Sequence, residues 1–198
     1  VRSRRQRQMC IRDSFFILNK KRTMRKKKLL YLHGYQGFTT KEKKDFLDTI
    51  AHAQYPLIDY DAEAKTVIKD LLSLIEKEKI EILSGTSLGA IVAYLLSRIK
   101  QLPCLLLNPG VTRYEEVKSF VPKEFELKES LAPTYIVAGK LDTVISYDEQ
   151  LKFYEQLSGN NVYEKYLLTD ENLEHRVSLE EFQRYFTLFF QWLNEIEQ

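Results

Sequence analysis

In the stretch ILSGTSLGAIVAYLL, residues 82–96, the spacing of the apolar residues changes, and this change decides the fold. The stretch begins as a short apolar run, and it ends with apolar side chains at the spacing of a helix. Between these two parts, Ser87 stands two residues after Gly85 and two residues before Gly89. The pattern predicts a strand, a tight turn that holds Ser87, and a helix.

A G-x-S-x-G sequence between a strand and a helix is the arrangement that a nucleophile elbow requires. The sharp turn holds the serine in a strained conformation, and the residues beside it must be small because neighbouring backbone passes close. The alternative is an ordinary turn in which Ser87 is the helix N-cap. We treat Ser87 as a candidate nucleophile, with Gly85 and Gly89 as the glycines of its elbow.

The rest of the chain alternates short apolar runs with stretches of helical period, which is typical of βαβ units. The expected fold class is α/β, a three-layer αβα sandwich around a mostly parallel six-stranded sheet. The predicted strands are Leu29 to His33, Pro56 to Tyr60, Ile80 to Ser84, Leu102 to Asn108, Thr134 to Ala138 and Val162 to Leu168. The predicted helices lie near residues 41–53, 62–78, 88–100, 112–120, 147–157 and 178–195. In the last helix, a stripe predicted to face the core comprises Leu179, Phe182, Phe186, Phe189, Phe190 and Leu193.

A serine nucleophile needs a base, which an acid orients in turn. In a sheet of this kind the three follow in the order serine, acid, histidine. The chain has three histidines, and only His175 follows Ser87, after the sixth predicted strand. His175 is therefore the candidate base. We expect His33 to be a buried polar residue at a strand end and His52 to be a surface residue or a helix C-cap.

The candidate acids follow the fifth predicted strand. Ser146 and Glu149 have the spacing of a capping box, which places Asp148 in the first turn of a helix and favours a structural role for it. Asp142 lies in the turn before that helix, from which a carboxylate can reach an imidazole on the neighbouring loop. We take Asp142 as the candidate acid, with Asp170 as the alternative.

The tetrahedral intermediate of acyl transfer also needs an oxyanion hole. Leu88 offers one backbone N–H, because it is the residue after the nucleophile. Tyr35 offers the other from the loop after the first strand, where Gly34 allows a sharp turn. Apolar residues predicted to line an acyl pocket beside these donors are Phe38, Val111 and Val144.

Charged residues are distributed unequally along the chain. Residues 1–28 hold 12 of the 30 lysines and arginines, whereas the remainder has 18 basic and 27 acidic residues, which argues against a nucleic-acid partner. We expect residues 1–23 to be a disordered, non-native basic leader, with an organellar transit peptide as the alternative, and residues 24–198 to form one domain. No apolar run in that leader is long enough for a membrane segment. Cys10 and Cys104 are expected to form no disulfide, which fits a reducing, cytoplasmic location.

Separate segments of the chain carry a family resemblance: LLYLHGY, GTSLGA, LLLNPG, AGKLDTV and EHRVS. In this order they resemble the α/β-hydrolase superfamily in a minimal form without a lid. The H-G-Y loop, the Asn108-Pro109 pair and the chain length are similar to YqiA/YcfP-like small bacterial esterases. The resemblance implies a catalytic triad of Ser87, Asp142 and His175, an oxyanion hole from Tyr35 and Leu88, and no metal or cofactor.

The sequence departs from this resemblance at two places. Leu173 and Glu174 precede the histidine where relatives often have glycine, and Lys140 stands where many carry an acid. Both departures bear on substrate preference more than on the triad.

The expected function is a serine esterase that cleaves small or short-chain acyl esters through an acyl-enzyme. The expected partner is a small-molecule ester, and the oligomeric state is left open. Two alternatives remain: a thioesterase or peptidase with the same triad, and a non-catalytic protein that uses the cleft for binding.

Overall fold

A single parallel sheet organises the chain in the computed structural model, which describes residues 25–128, 132–157 and 164–197. The leader predicted for residues 1–23 lies outside the described residues. The strands are β1 (Lys28–Leu32), β2 (His52–Gln54), β3 (Ile82–Thr86), β4 (Cys104–Leu107), β5 (Thr134–Gly139) and β6 (Lys165–Asp170). Their order in the sheet is β2-β1-β3-β4-β5-β6, and every neighbouring pair is parallel. The strand order reverses beside β1, so ligands are expected at the carboxyl ends of β1 and β3.

Helices cover both faces of this sheet. They are α1 (Lys41–Ile50), α2 (Val67–Glu78), α3 (Leu88–Lys100), α4 (Tyr114–Lys118), α5 (Tyr147–Gln156) and α6 (Leu179–Ile196), and a 3₁₀ turn at Val111–Arg113 precedes α4. One core packs α2 and α3, with side chains of α4 and α5, against one face of the sheet, and the other packs α1 and α6 against the opposite face. Alternate residues of β1 enter the two cores. The predicted three-layer αβα sandwich is confirmed.

The aromatic stripe of α6 packs into the second core. Phe182, Phe186 and Phe189 are fully buried, and the ring of Phe182 meets that of Tyr31 edge to face at 5.2 Å. Each buried ring of this size contributes roughly 1.5–3 kcal/mol of hydrophobic stabilisation. Phe190 lies only partly buried at the margin. The stripe therefore fixes α6, and with it the loop that precedes α6, on the sheet.

The second strand is not where the sequence predicted it. β2 is His52–Gln54, and the predicted helix over 41–53 ends at Ile50. The apolar run from Pro56 to Tyr60 is not a strand, because Ile58 N–H donates to the His33 side chain and not to a strand neighbour. His52 is the exposed first residue of an edge strand, so the surface position predicted for it is confirmed and the alternative, a helix C-cap, was wrong.

Smaller differences affect the later elements. The last strand begins at Lys165 and continues to Asp170, which pairs with Gly139, whereas the prediction ended at Leu168. Val162, where that prediction began, lies outside the described residues.

Cys104 is fully buried in β4, and burial raises the pKa of its thiol to about 11, so it behaves as a small apolar residue. In the described ranges, no helix is both long and apolar enough to cross a bilayer.

Candidate active site

Ser87 occupies a strained turn between β3 and α3. Its backbone has φ 53° and ψ −120°, a conformation that residues with a Cβ rarely adopt. Backbone hydrogen bonds hold it there: Ser87 N–H donates to Leu107 C=O at 3.0 Å, and Ser87 C=O accepts from Gly110 N–H at 2.9 Å. The Ser87 hydroxyl makes no capping hydrogen bond to α3. The turn is therefore not an ordinary N-cap.

Close backbone contacts explain the two elbow glycines. A Cβ on Gly85 would lie 2.3 Å from the Gly89 carbonyl oxygen, and a Cβ on Gly89 would lie 2.3 Å from the His33 carbonyl oxygen. Neither clash can be relieved by a side-chain movement, because the obstructing atoms belong to the backbone. The glycines thus let α3 start directly against β1 and β3, with Ser87 at the tip of the turn.

His175 and Asp142 are brought together by two neighbouring loops. His175 Nδ1 lies 2.8 Å from Asp142 Oδ2, and the Asp142 side chain is fully buried. The carboxylate accepts this hydrogen bond, so the Nδ1 atom carries the proton and Nε2 is left for a further partner. Asp142 Oδ1 also accepts from the backbone N–H groups of Val144 and Ile145, each at 2.8 Å. The acid is thereby fixed in one orientation toward the imidazole.

Two buried amide side chains complete this region, and the sequence analysis assigned no role to either. Asn108 Nδ2 donates to the carbonyl oxygens of Glu174 at 2.7 Å and His175 at 3.3 Å, while its Oδ1 accepts from Gly139 N–H at 2.9 Å. Gln150 Nε2 donates to Asp142 Oδ2 at 3.4 Å. Asn108 therefore ties the end of β4 to the turn after β5 and to the histidine loop. The only signal of this residue in the sequence was its place in LLLNPG.

The other two carboxylates considered, those of Asp170 and Asp148, do not contact His175. Asp170 Oδ2 accepts from Tyr185 O–H at 2.9 Å and pairs with Arg184 on α6. Burial opposes ionisation of Asp170, but hydrogen bonds from Asn172 N–H and Tyr185 and the Arg184 charge hold its pKa below the usual value. Asp148 is exposed in the first turn of α5, after a capping box at Ser146. Neither carboxylate hydrogen-bonds the imidazole.

The loop after β1 lies against the serine turn. A Cβ built on Gly34 would be 3.3 Å from Ser87 Cβ, so the peptide between Gly34 and Tyr35 runs beside the candidate nucleophile. Among the residues that the structure describes, the N–H groups of Tyr35 and Leu88 donate to no protein acceptor. Tyr35 O–H donates to both carboxylate oxygens of Asp61, at 2.9 and 3.0 Å, which anchors the outer part of the loop and raises the pKa of Tyr35.

His33 is buried and joins this loop to the chain beyond β2. Ile58 N–H donates to His33 Nε2 at 2.9 Å, so the ring proton resides on Nδ1, which donates to Gly34 C=O at 2.8 Å. Tyr60 O–H donates to the His33 backbone carbonyl at 2.8 Å. The expectation that His33 is a buried polar residue is confirmed, and both of its ring nitrogens are engaged in holding backbone.

Ser87 and His175 line one open cavity of about 600 Å³. The cavity is also lined by Tyr35, Phe38 and Val144, the last two being largely exposed at its rim. Val111 was predicted to join them, but it lines a different cavity beside Phe153 of α5. Val111 instead begins the 3₁₀ turn after Gly110, and its side chain packs against the first core.

Solved structures share this architecture at low sequence identity. An α/β hydrolase enzyme from the metagenome of sediments from the lagoon of Mar Chica has a TM-score of 0.64 at 17% identity, over 88% of this chain and 93% of that one. Acyl-protein thioesterase 2 from Zea mays has a TM-score of 0.60 at 14% identity, over 86% and 94%. A thermophilic esterase from Thermogutta terrifontis has a TM-score of 0.57 at 13% identity, over 87% and 91%. The chain therefore has the α/β-hydrolase fold.

Comparison with curated proteins finds no sequence match. A model of the uncharacterised protein family UPF0227 matches residues 28–189, which is most of the chain and all of the sheet. This match confirms the resemblance to YqiA-like proteins that the motifs indicated. The chain belongs to the family UPF0227.

Proposed function

We propose that the protein is a serine hydrolase that cleaves small or short-chain acyl esters. The observation that carries the proposal is the 2.8 Å hydrogen bond between His175 and buried Asp142, on a cavity that Ser87 also lines from its strained turn. A protein that used this cleft only for binding would not need a serine, a histidine and an acid in these separate turns. The hydrolase and esterase names of the similar structures are consistent with it.

The reaction follows from the roles of these side chains. The Ser87 hydroxyl oxygen attacks the ester carbonyl carbon while His175 Nε2 takes its proton, and Asp142 stabilises the resulting imidazolium through Nδ1. The negative charge on the former carbonyl oxygen is stabilised by the N–H groups of Leu88 and Tyr35. Collapse of this intermediate expels the alcohol, which receives the proton from His175. Water then attacks the acyl-enzyme by the same route and releases the acid.

The cavity favours small substrates that enter from water. Its rim carries exposed Phe38 and Val144, which offer apolar contact to a short acyl chain. The similarity to an acyl-protein thioesterase keeps a thioester as the second candidate bond, because the same acyl-enzyme would form from it. We also propose a cytoplasmic setting, since Cys104 is a buried free thiol of the kind that reducing compartments retain.

Hydrolysis of p-nitrophenyl acetate and butyrate by the wild type and by Ser87→Ala tests the proposal. We expect the variant to lose about 10⁴-fold or more in kcat/KM, because the nucleophile is removed. Ser73→Ala, a serine replacement on the exposed side of α2, is the matched control and should retain the wild-type rate. A Ser87→Ala rate equal to that of the wild type would refute the proposed function. Acyl-CoA and peptide substrates in the same assay separate ester from thioester and peptide hydrolysis.

A further inference from the structure

The cavity that Ser87 and His175 line differs in charge from the domain around it. From residue 29 onward the sequence has 18 basic and 27 acidic residues, so an average patch of surface should be acidic. The described residues that line the cavity nevertheless include Lys43 and Arg176 and no carboxylate. A concave site lined by charge of one sign concentrates its field and attracts ligands of the opposite sign.

Arg176 is the freer of the two cations. It follows His175 directly, it is exposed, and within the described part of the chain its guanidinium makes no hydrogen bond or ion pair. Other arginines of the domain are engaged: Arg113 pairs with Glu116, and Arg184 pairs with Asp170. A planar guanidinium with free N–H groups can bind a carboxylate or phosphate through two hydrogen bonds.

Lys43 is held more tightly on the same side of the cavity. Its Nζ donates to Val177 C=O at 2.8 Å and lies 4.9 Å from the centre of the Phe182 ring. Burial lowers the pKa of Lys43, and the charge of Glu181 opposes that shift. Glu181 Oε2 itself accepts from Ser178 N–H at 2.8 Å in the capping box of α6. Lys43 therefore adds a fixed positive charge to the cavity lining that also includes the exposed Arg176.

We propose that the preferred substrate is an ester that carries a second, negatively charged group, which Arg176 binds and Lys43 attracts. This inference rests on the proposed hydrolase function and names its substrate class. It gives a physical role to the cationic residue beside the catalytic histidine, which the acyl-transfer mechanism does not use. It also implies that neutral short-chain esters are accepted but are not the best substrates.

Two pairs of esters test the proposal, each with a negative member and a neutral methyl ester as its match. The first pair places the charge on the leaving group: 4-acetoxybenzoate and methyl 4-acetoxybenzoate. The second places it on the acyl group: mono-(4-nitrophenyl) adipate and 4-nitrophenyl methyl adipate. We expect kcat/KM for the negative member to exceed that for its neutral match by about tenfold in one of the pairs. The pair that shows the preference identifies the side of the ester that faces Arg176.

Substitutions identify the origin of the preference. Arg176→Gln should lower the ratio of negative to neutral kcat/KM toward one, and Arg176→Glu should invert it. Lys77→Gln is the matched control, because it removes one positive charge from the exposed last turn of α2, next to the amino end of β3 and away from the cavity. It should leave the ratio as in the wild type. Addition of 0.5 M NaCl should reduce the wild-type ratio, since the guanidinium is exposed to solvent.

The outcomes separate this inference from the proposed function. Ser87-dependent hydrolysis of the neutral esters with a ratio of one or less in both pairs would overturn the anionic substrate class and leave the hydrolase standing. A preference that persists in both Arg176 variants would overturn the role of Arg176. Absence of Ser87-dependent hydrolysis of all four esters would overturn both proposals.

Discussion

Ser87 and His175 reach the same cavity from two regions that are held in place in different ways. The serine turn is fixed through backbone contacts: a positive φ at Ser87, glycines at points where no Cβ fits, and backbone hydrogen bonds to Leu107 and Gly110. The histidine loop is fixed by side chains from distant parts of the chain, namely Asp142 after β5 and Asn108 after β4. Backbone contacts position the candidate nucleophile, and side-chain hydrogen bonds position the candidate base.

This difference predicts how each region fails when it is changed. A Cβ added at a glycine of the serine turn meets backbone atoms, so it should damage folding. A substitution in the histidine loop removes hydrogen bonds and leaves the sheet intact, so it should damage activity first. The variants below test this contrast, from the largest expected effect to the smallest.

Asp142→Ala should have the largest effect, and on activity. We expect kcat for p-nitrophenyl acetate to fall about 10³- to 10⁴-fold, because the imidazole loses the acceptor that orients Nδ1. Asp148→Ala, in the exposed first turn of the adjacent helix, is the matched control and should stay within about twofold of the wild type. If Asp148→Ala lost more activity than Asp142→Ala, the assignment of the acid would be wrong.

Gly89→Ala should have the next largest effect, and on stability. The added Cβ would meet the backbone of Leu32 and His33, so we expect the free energy of unfolding in urea to fall by about 3 kcal/mol. Gly37→Ala is a milder test of the same exchange, because its Cβ would be 3.1 Å from the nearest backbone oxygen. Equal losses for the two variants would contradict the account of the serine turn.

Asn108→Ala should affect both properties moderately. It leaves two carbonyl groups and one N–H without their partner, so we expect about 2 kcal/mol less stability. Misplacement of the histidine loop should lower kcat about tenfold while KM changes little, since Asn108 does not line the cavity. Asn172→Ala, an exposed change in the same loop, should leave both unchanged. A fall in stability with an unaltered kcat would show that Asn108 does not position the base.

Asp170→Asn should have the smallest effect, and one that depends on pH. The fold holds the pKa of Asp170 below its usual value. The ionised carboxylate therefore stabilises the fold fully at pH values above the usual pKa, and this stabilisation is lost as the pH falls through the lowered pKa. We expect the variant to be about 1 kcal/mol less stable than the wild type at pH 7, a modest value because Arg184 is half exposed. The difference in urea unfolding should shrink toward pH 3. A difference that grows in acid would contradict this assignment.

The same contrast explains how much could be predicted from the sequence. The strand, turn and helix around Ser87 are encoded by neighbouring residues, so their pattern could be recognised locally. The role of Asn108 could not, because its partners at Gly139 and Glu174 lie 31 and 66 residues away. The candidate acid and base were identified from strand order and loop position, which the parallel sheet then brought together at one edge.

The errors have related physical causes. The edge strand β2 has three residues and depends on pairing with β1, so its sequence carries little signal of its own. The apolar run at Pro56 to Tyr60 resembled a strand because Ile58 and Tyr60 are buried, but they are buried against His33. Val111 was misplaced because its side chain packs against the first core beside Phe153 of α5, a contact that the residues next to it in sequence do not encode.

The central claim is that the Ser87 hydroxyl is the activated nucleophile, and covalent labelling tests it most directly. The folded wild type is treated with a fluorophosphonate, and the modified residue is located by peptide mass spectrometry. The account predicts one adduct on the peptide that contains Ser87, which disappears in urea and is formed far more slowly by His175→Ala. An adduct on another serine, or labelling of Ser87 at the same rate without the histidine, would contradict it.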